Sequence, residues 1–330
     1  MAAMFDEGKT LHCLASVFDW DLEDVSKTVT CSVPDRAAFV ERSLAKLKML
    51  QNEIDAGAPS DDSKDSSVDC SNSDERKQQI LILKTLVEYL KCHSTSSFNS
   101  MPPDIVKFLP YLCYFENEAT DTELKQNCHA VLIYGLGRCL LSPTNIDLLL
   151  TYCSQVAKNK WWKARASLLY FLQVIVISNL FHFCHPTHQK RVQELVFDLL
   201  KDCQIEVREV ASTALCTFFL CRFLVPTQDI MDEFKRWASS SSTLTRHSGV
   251  LGMSSIILSL PYSVSSYLPS VIEALCQHVH GKPPISTSVK KTLSEFKRTH
   301  VDSWPEHMRA FNESQLSALT DALVSPSYYA

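Results

Sequence analysis

Tyr328-Tyr329-Ala330 closes the sequence with two phenols and an α-carboxylate. Pro326, flanked by Ser325 and Ser327, separates these residues from the helical pattern before them, so residues 325–330 read as a docking tail. A terminal carboxylate is a fixed negative charge that a lysine or a set of backbone N–H groups can capture. A penultimate tyrosine adds a flat ring and one hydroxyl, which suits a pocket apolar on one side and wet on the other. A second group, Lys158, Lys160, Lys163 and Arg165, surrounds Trp161-Trp162. Cations interleaved with indoles could meet an anionic ligand, although the same pattern also describes a solvated helix start with packed rings. A third, His182, Cys184, His185 and His188, has zinc-ligand residue types, but no second cluster completes a zinc spacing and Pro186 marks a loop. No metal site is expected there. Gly135-Leu136-Gly137 lacks a preceding strand and is expected inside a helix, so it is not a nucleotide loop. No G-x-S-x-G, H-E-x-x-H or Walker pattern occurs. The chemistry on offer is binding, and the chain is not expected to be an enzyme.

Composition limits what can carry these groups. The chain has 330 residues, 45% of them hydrophobic, enough for a large core. Only 7 are glycine, against about 23 at average usage. Few glycines leave few sites for tight turns, which favours long helices. The net charge of −5 argues against direct nucleic-acid binding. Thirteen scattered cysteines, an odd number without paired spacing, read as reduced thiols that serve as small buried hydrophobes. Asp6 and Glu7 stand where a signal peptide would need positive charge. The most apolar stretch, Leu168 to Phe183, is short and interrupted by Gln173, Ser178, Asn179 and His182, so it reads as a buried helix and no membrane role is expected.

The elements that must position these groups show a repeat. Glu123-Leu124-Lys125, Lys163-Ala164-Arg165, Glu206-Val207-Arg208, Leu244-Thr245-Arg246 and Ser288-Val289-Lys290 each open a long run with apolar residues three and four apart. Their basic residues are separated by 40, 43, 38 and 44 residues. A period of about 40 with two helices per unit matches the HEAT/armadillo class. First helices are expected between these starts, over Pro102–Phe115, Asn145–Ala157, Gln189–Leu200, Asp229–Ala238 and Val264–His278. Proline is expected in first turns, with Asn145 and Thr187 as caps. The fold expected is all-α, a HEAT/armadillo-like α-solenoid of stacked antiparallel helix pairs. Residues 1–56 form an N-terminal helical segment, including a helix over Asp35–Ile54. Residues 57–76, rich in serine and acidic residues, form a disordered loop. Residues 77–303 carry the repeats, beginning with a helix over Arg76–Cys92. Residues 304–324 form a polar capping helix region. Phe5 to Trp20 is apolar without cap-like polarity, as though stacking were meant to continue beyond it.

The segment from Ser286 through Ala330, with Glu206-Val207-Arg208-Glu209 and Arg246-His247-Ser248-Gly249-Val250-Leu251-Gly252, closely resembles the C-terminus of the giant HEAT-repeat proteasome activators, the proteasome activator complex subunit 4 family. The likeness runs from about residue 100 to 330 and is weaker before. Members of that family are several times longer. The resemblance implies docking on the α-subunit ring of the core proteasome and ATP-independent opening of its gate. The docking motif is hydrophobic–Tyr–any, which places Tyr328 as the hydrophobic residue, Tyr329 as the tyrosine and Ala330 as the carboxylate bearer. It also implies a nuclear and cytoplasmic location, a link to DNA repair, and a bromodomain-like stretch near residues 137–225 that reads acetylated histones through an Asn-Phe pair. The matching pair here is Arg222-Phe223. An Asn amide donates and accepts, whereas a guanidinium only donates, so this departure counts against acetyl-lysine reading. The family also has basic channels like those of inositol-phosphate binders, and Lys158, Lys160, Lys163 and Arg165 are the positions that would meet such a ligand. A proteasome-docking solenoid is therefore the leading reading. A generic HEAT-repeat scaffold and an acetylated-histone reader are the alternatives.

Overall fold

In the computed structural model, residues 41–49, 74–94, 103–117 and 121–323 are described. Every regular element among them is helical. The expected disordered loop lies outside them up to residue 73, and so do the apolar N-terminal run and the C-terminal tail. The chain divides into two compact units, Met1–Ser167 and Leu168–Ala330.

In the first unit, residues 41–49 are helical and bury Leu47. They are followed by α1 (Asp74–Ser94), α2 (Leu109–Phe115), α3 (Thr122–His129) and α4 (Pro143–Ala157). Asp121 starts α3 by accepting the Leu124 N–H at 2.9 Å, which satisfies one of the donors a helix start leaves bare. Lys84 on α1 bridges Asp121 and Glu123 at 2.8 Å each. The helix expected over Pro102–Phe115 is broken in two, Pro103–Val106 and Leu109–Phe115. Pro110 has no N–H for a continuous ladder and instead occupies the first turn of α2. Past His129 the helix widens to a π-helix, Ala130–Gly135, and then tightens to a 3-10 turn, Leu136–Arg138. The Gly-Leu-Gly segment therefore sits at this change of winding and not within a regular helix.

α5 (Trp162–Ser178) starts in the first unit and ends in the second. The second unit continues with α6 (Pro186–Leu200), α7 (Ile205–Leu220), α8 (Gln228–Ala238), α9 (Thr243–Leu258), α10 (Leu268–Cys276), α11 (Ile285–His300) and α12 (Glu313–Leu323). α6 packs on α7 and α8 on α9, while α7, α9 and α11 lie side by side; α10 packs on α9 and α12. This is the HEAT/armadillo-like stacking of helix pairs expected from the period. Prolines begin α4 and α6 as anticipated, but Asn145 and Thr187 are not caps. Both sit inside the first turn, and Ser142 and His185 hold the cap positions without a side-chain bond to a backbone N–H of the helix.

α9 is the centre of the second unit. His247 through Ile257 are all buried, so the helix has no solvent face over that length. It manages this with small residues. A Cβ on Gly249 would stand 2.2 Å from the Ala238 nitrogen and 2.5 Å from the Phe234 oxygen. A Cβ on Gly252 would meet the Phe234 ring at 2.6 Å. These two glycines let α8 lie directly on α9. Phe234 then completes an aromatic cluster with Phe197 at 5.2 Å and Trp237 at 5.4 Å between ring centroids.

The polar residues buried with α9 are paired across helices. Ser212 on α7 donates to the Leu251 carbonyl at 3.0 Å, and Ser255 donates back to the Ser212 carbonyl at 3.0 Å. Thr292 on α11 bonds Ser254 at 2.9 Å, and beyond this buried set the half-buried Thr217 on α7 bonds Gln173 on α5 at 3.2 Å. The second helices are thereby tied in register by a polar ladder as well as by apolar packing.

At the C-terminal end, Asn312 and Gln315 cap α12 reciprocally. The Gln315 N–H reaches Asn312 Oδ1 at 2.8 Å and the Asn312 N–H reaches Gln315 Oε1 at 3.1 Å. Of α12 only Leu319 is buried. No helix among the described residues is long and apolar enough to cross a membrane.

Candidate functional site

Three of the five basic helix starts have a structural job. Arg165 is buried, and its Nη1 donates to the carbonyls of Asn159 at 2.6 Å and Lys160 at 3.0 Å. Arg208 repeats this geometry with Asp202 at 2.7 Å and Cys203 at 3.0 Å. Arg246 donates from Nε to Ser240 at 2.9 Å. Each arginine reaches back five or six residues and ties down the turn between the two helices of its pair. Lys125 and Lys290, which the spacing grouped with them, are exposed. The guanidinium supplies several donors in a fixed fork, and an ammonium does not.

Arg208 also donates from Nε to His247 Nδ1 at 3.1 Å, and His247 Nε2 lies 3.0 Å from Ser288 Oγ. The arginine forces Nδ1 to accept, so the ring proton sits on Nε2 and points at Ser288. His247 is fully buried, and burial first, then the Arg208 charge, pulls it down from 6.5 to about 4. It is a neutral linker between α7 and α11.

The tryptophan cluster lies at the turn before α5. Trp161 packs on Tyr114 at 4.5 Å, and Lys163 stands 5.9 Å from the Trp161 ring and 5.7 Å from the Trp162 ring. Lys158 and Lys160 are exposed. With Arg165 holding the turn, Lys158, Lys160 and Lys163 are the members of the predicted anion group whose charges face outward or lie over indoles.

Arg222 and Phe223 follow the end of α7. Arg222 has φ of 58°, in the left-handed region, and its side chain is exposed. The turn is closed by Arg222 N–H to the Phe219 carbonyl at 3.1 Å and Leu224 N–H to the Phe218 carbonyl at 3.0 Å. Phe223 is fully buried against Phe218, with ring centroids 5.2 Å apart. Its carbonyl accepts from Gln189. The two residues thus point apart in role, one into water and one into the core. Among the histidines and cysteine after α5, His185 bonds Thr187 at 2.8 Å, and the described residues contain no group of three or more His, Cys, Asp or Glu placed to hold a metal ion. Tyr328, Tyr329 and Ala330 lie outside the described residues.

Residues 243–330 match the family described as proteasome activator complex subunit 4-like, C-terminal. The chain is 36% identical over 326 residues to proteasome activator complex subunit 4B of Danio rerio, covering 92% of this chain. It is 33% identical over 337 residues to the Homo sapiens subunit 4, covering 95% of this chain. The chain belongs to the proteasome activator complex subunit 4 family. The likeness extends well before residue 100, further than the motifs in the sequence suggest. The chain spans 18% of the length of these relatives. The proteasome activator BLM10 of Saccharomyces cerevisiae is a more distant relative, 24% identical over 217 residues, which is 60% of this chain and 10% of that protein. Among solved structures, Kap95p bound to RanGDP aligns at a TM-score of 0.43 and 14% identity, covering 98% of this chain and 40% of that one. The fold assignment rests on the helix pairing itself.

Proposed function

We propose that this chain docks on the α-subunit ring of the core proteasome through Tyr328, Tyr329 and Ala330 and promotes ATP-independent opening of the gate. The observation that carries the reading is kinship with proteasome activators over more than nine tenths of the chain. Two features support it. The residues Tyr-Tyr-Ala supply a ring, a hydroxyl and a carboxylate in the order the docking motif requires. The stacked helix pairs supply a folded body beside which a short tail could act. The decisive experiment is a pull-down of the core particle by the chain with and without residues 328–330, together with hydrolysis of a fluorogenic peptide by latent core particles. Binding and hydrolysis are expected to require the three residues. Unchanged binding and hydrolysis after their removal would leave only a generic HEAT-repeat scaffold.

A further inference from the structure

Glu116, just past α2, is an acid in an unusual place. It is 8% exposed, and its Oε1 lies 2.6 Å from Nδ1 of His129. Its Oε2 is buried and has no hydrogen-bond partner among the described residues. A carboxylate oxygen taken out of water without a donor is costly, and such groups are rare in folded proteins. Glu116 lines a pocket of about 390 Å³ together with Asn117, Lys125, Gln126, His129, Ala130 and Tyr134. That volume is at the small end of ligand sites. The pocket borders the π-helix Ala130–Gly135, a local widening of the kind that recurs at functional sites.

We infer that this pocket binds an N–H-donating organic cation, an alkylammonium or a guanidinium, with Glu116 Oε2 as its acceptor. The lining argues against the other charged ligands. An anion would be repelled by the carboxylate. A metal ion lacks ligands, because the described residues hold no group of three or more metal-binding side chains. A cation supplies both the missing donor and the opposite charge, and a charge-assisted bond is the strong kind. Gln126, His129 and Tyr134 form the exposed outer wall, and a ligand reaches the buried Oε2 only if this wall gives way. Lys125 is the competing charge in the lining, also exposed. This inference does not rest on the proposed docking function.

The same chemistry can come from a basic side chain of a polypeptide or from a free polyamine, and the test separates them. The 330-residue chain is titrated with N-acetyl-arginine amide, N-acetyl-lysine amide, spermine and N-acetyl-citrulline amide while the His129 ring resonances are followed by NMR. The cationic probes are expected to move those resonances, and the neutral citrulline analogue is not. Glu116→Gln should weaken the cations by at least about tenfold. Lys125→Gln should strengthen them by about twofold. Tighter binding of the amino-acid amides assigns the site to a polypeptide side chain, and tighter binding of spermine assigns it to a polyamine. Equal response to arginine and citrulline, no response to any probe at tens of millimolar, or unchanged binding by Glu116→Gln would each overturn the inference. Should Glu116→Gln lose its helical circular dichroism, the arginine–citrulline comparison on the unaltered chain still decides.

Discussion

The arginines that start α5, α7 and α9 illustrate how one residue type can set local geometry. Arg208 satisfies two turn carbonyls and the Nδ1 of a buried histidine at once. Arg208→Met keeps much of the side-chain volume but removes these donors. It should lower unfolding stability by about 1.5–3 kcal/mol, read from urea denaturation at neutral pH; a change below 0.5 kcal/mol would mean water replaces the guanidinium freely. His247 makes the same network sensitive to acid. The folded protein keeps this ring neutral to about pH 4, whereas the unfolded chain protonates it near 6.5. The unfolded state therefore binds the extra proton in that window, so the contribution is complete above pH 6.5 and is lost as pH falls towards 4. Its size is on the order of 3 kcal/mol. The stability difference between the unaltered chain and His247→Gln should shrink on going from pH 7 to pH 4.5, and a difference independent of pH would contradict the buried neutral ring. Arg222 is the opposite case, a residue that fits its backbone poorly. At φ of 58° it occupies a conformation that asparagine and glycine adopt more readily. Arg222→Gly should raise the melting temperature, by the equivalent of about 0.5–1 kcal/mol, since the exposed guanidinium contributes no described contact to the fold.

At the scale of elements, the pairing of α8 with α9 depends on absent side chains. Gly249 faces backbone atoms of α8 at distances where a Cβ cannot fit. A methyl group there must push two helices apart, because neither neighbour is a flexible side-chain tip. Gly249→Ala should therefore destabilise by roughly 1–3 kcal/mol or more, despite the better helix propensity of alanine. Gly252 faces the Phe234 ring, a side chain and not backbone, so Gly252→Ala should cost less. Thermal unfolding of the two variants checks the order; equal melting temperatures would show that the helices separate without resistance. The polar ladder from Gln173 to Thr292 belongs to the same scale. It makes sliding of one second helix past the next expensive, because a shift leaves several buried hydroxyls without partners.

At the scale of the whole molecule, the docking proposed for Tyr328, Tyr329 and Ala330 needs more than these three residues. Burying one tyrosine ring is worth roughly 1.5–3 kcal/mol. A charge-assisted carboxylate bond adds roughly 1.5–3 kcal/mol. Before any ordering cost, the sum corresponds to roughly millimolar to tens-of-micromolar affinity. A second contact from the solenoid would make tail insertion effectively intramolecular. A free peptide of residues 324–330 should then bind core particles far more weakly than the 330-residue chain, measured side by side by surface plasmon resonance. Tyr329→Ala in the chain should abolish stimulated peptide hydrolysis. Equal affinity of peptide and chain would show that the helical repeats add nothing to docking.

Periodicity alone determined that the chain is helical and repeats about every 40 residues, because amphipathic spacing is written into local sequence. It located α4 through α9 and the arginines that open three of them. Family likeness marked the Arg-His-Ser-Gly-Val-Leu-Gly segment and supplied the docking expectation for the tail. What those residues do was decided by neighbours distant in sequence. Arg165 looked like part of an anion site until the turn carbonyls of Asn159 and Lys160 surrounded it. Lys125 and Lys290 share its spacing but remain in solvent, since spacing says nothing about whether a turn curls under the side chain. Phe223 joined the core through Phe218, while Arg222 turned outward on a left-handed backbone that the sequence did not signal. The Glu116–His129 pair is 13 residues apart and matches no motif. The packing of α2 on α3 brings the two together, and only packing around them strips one carboxylate oxygen of water.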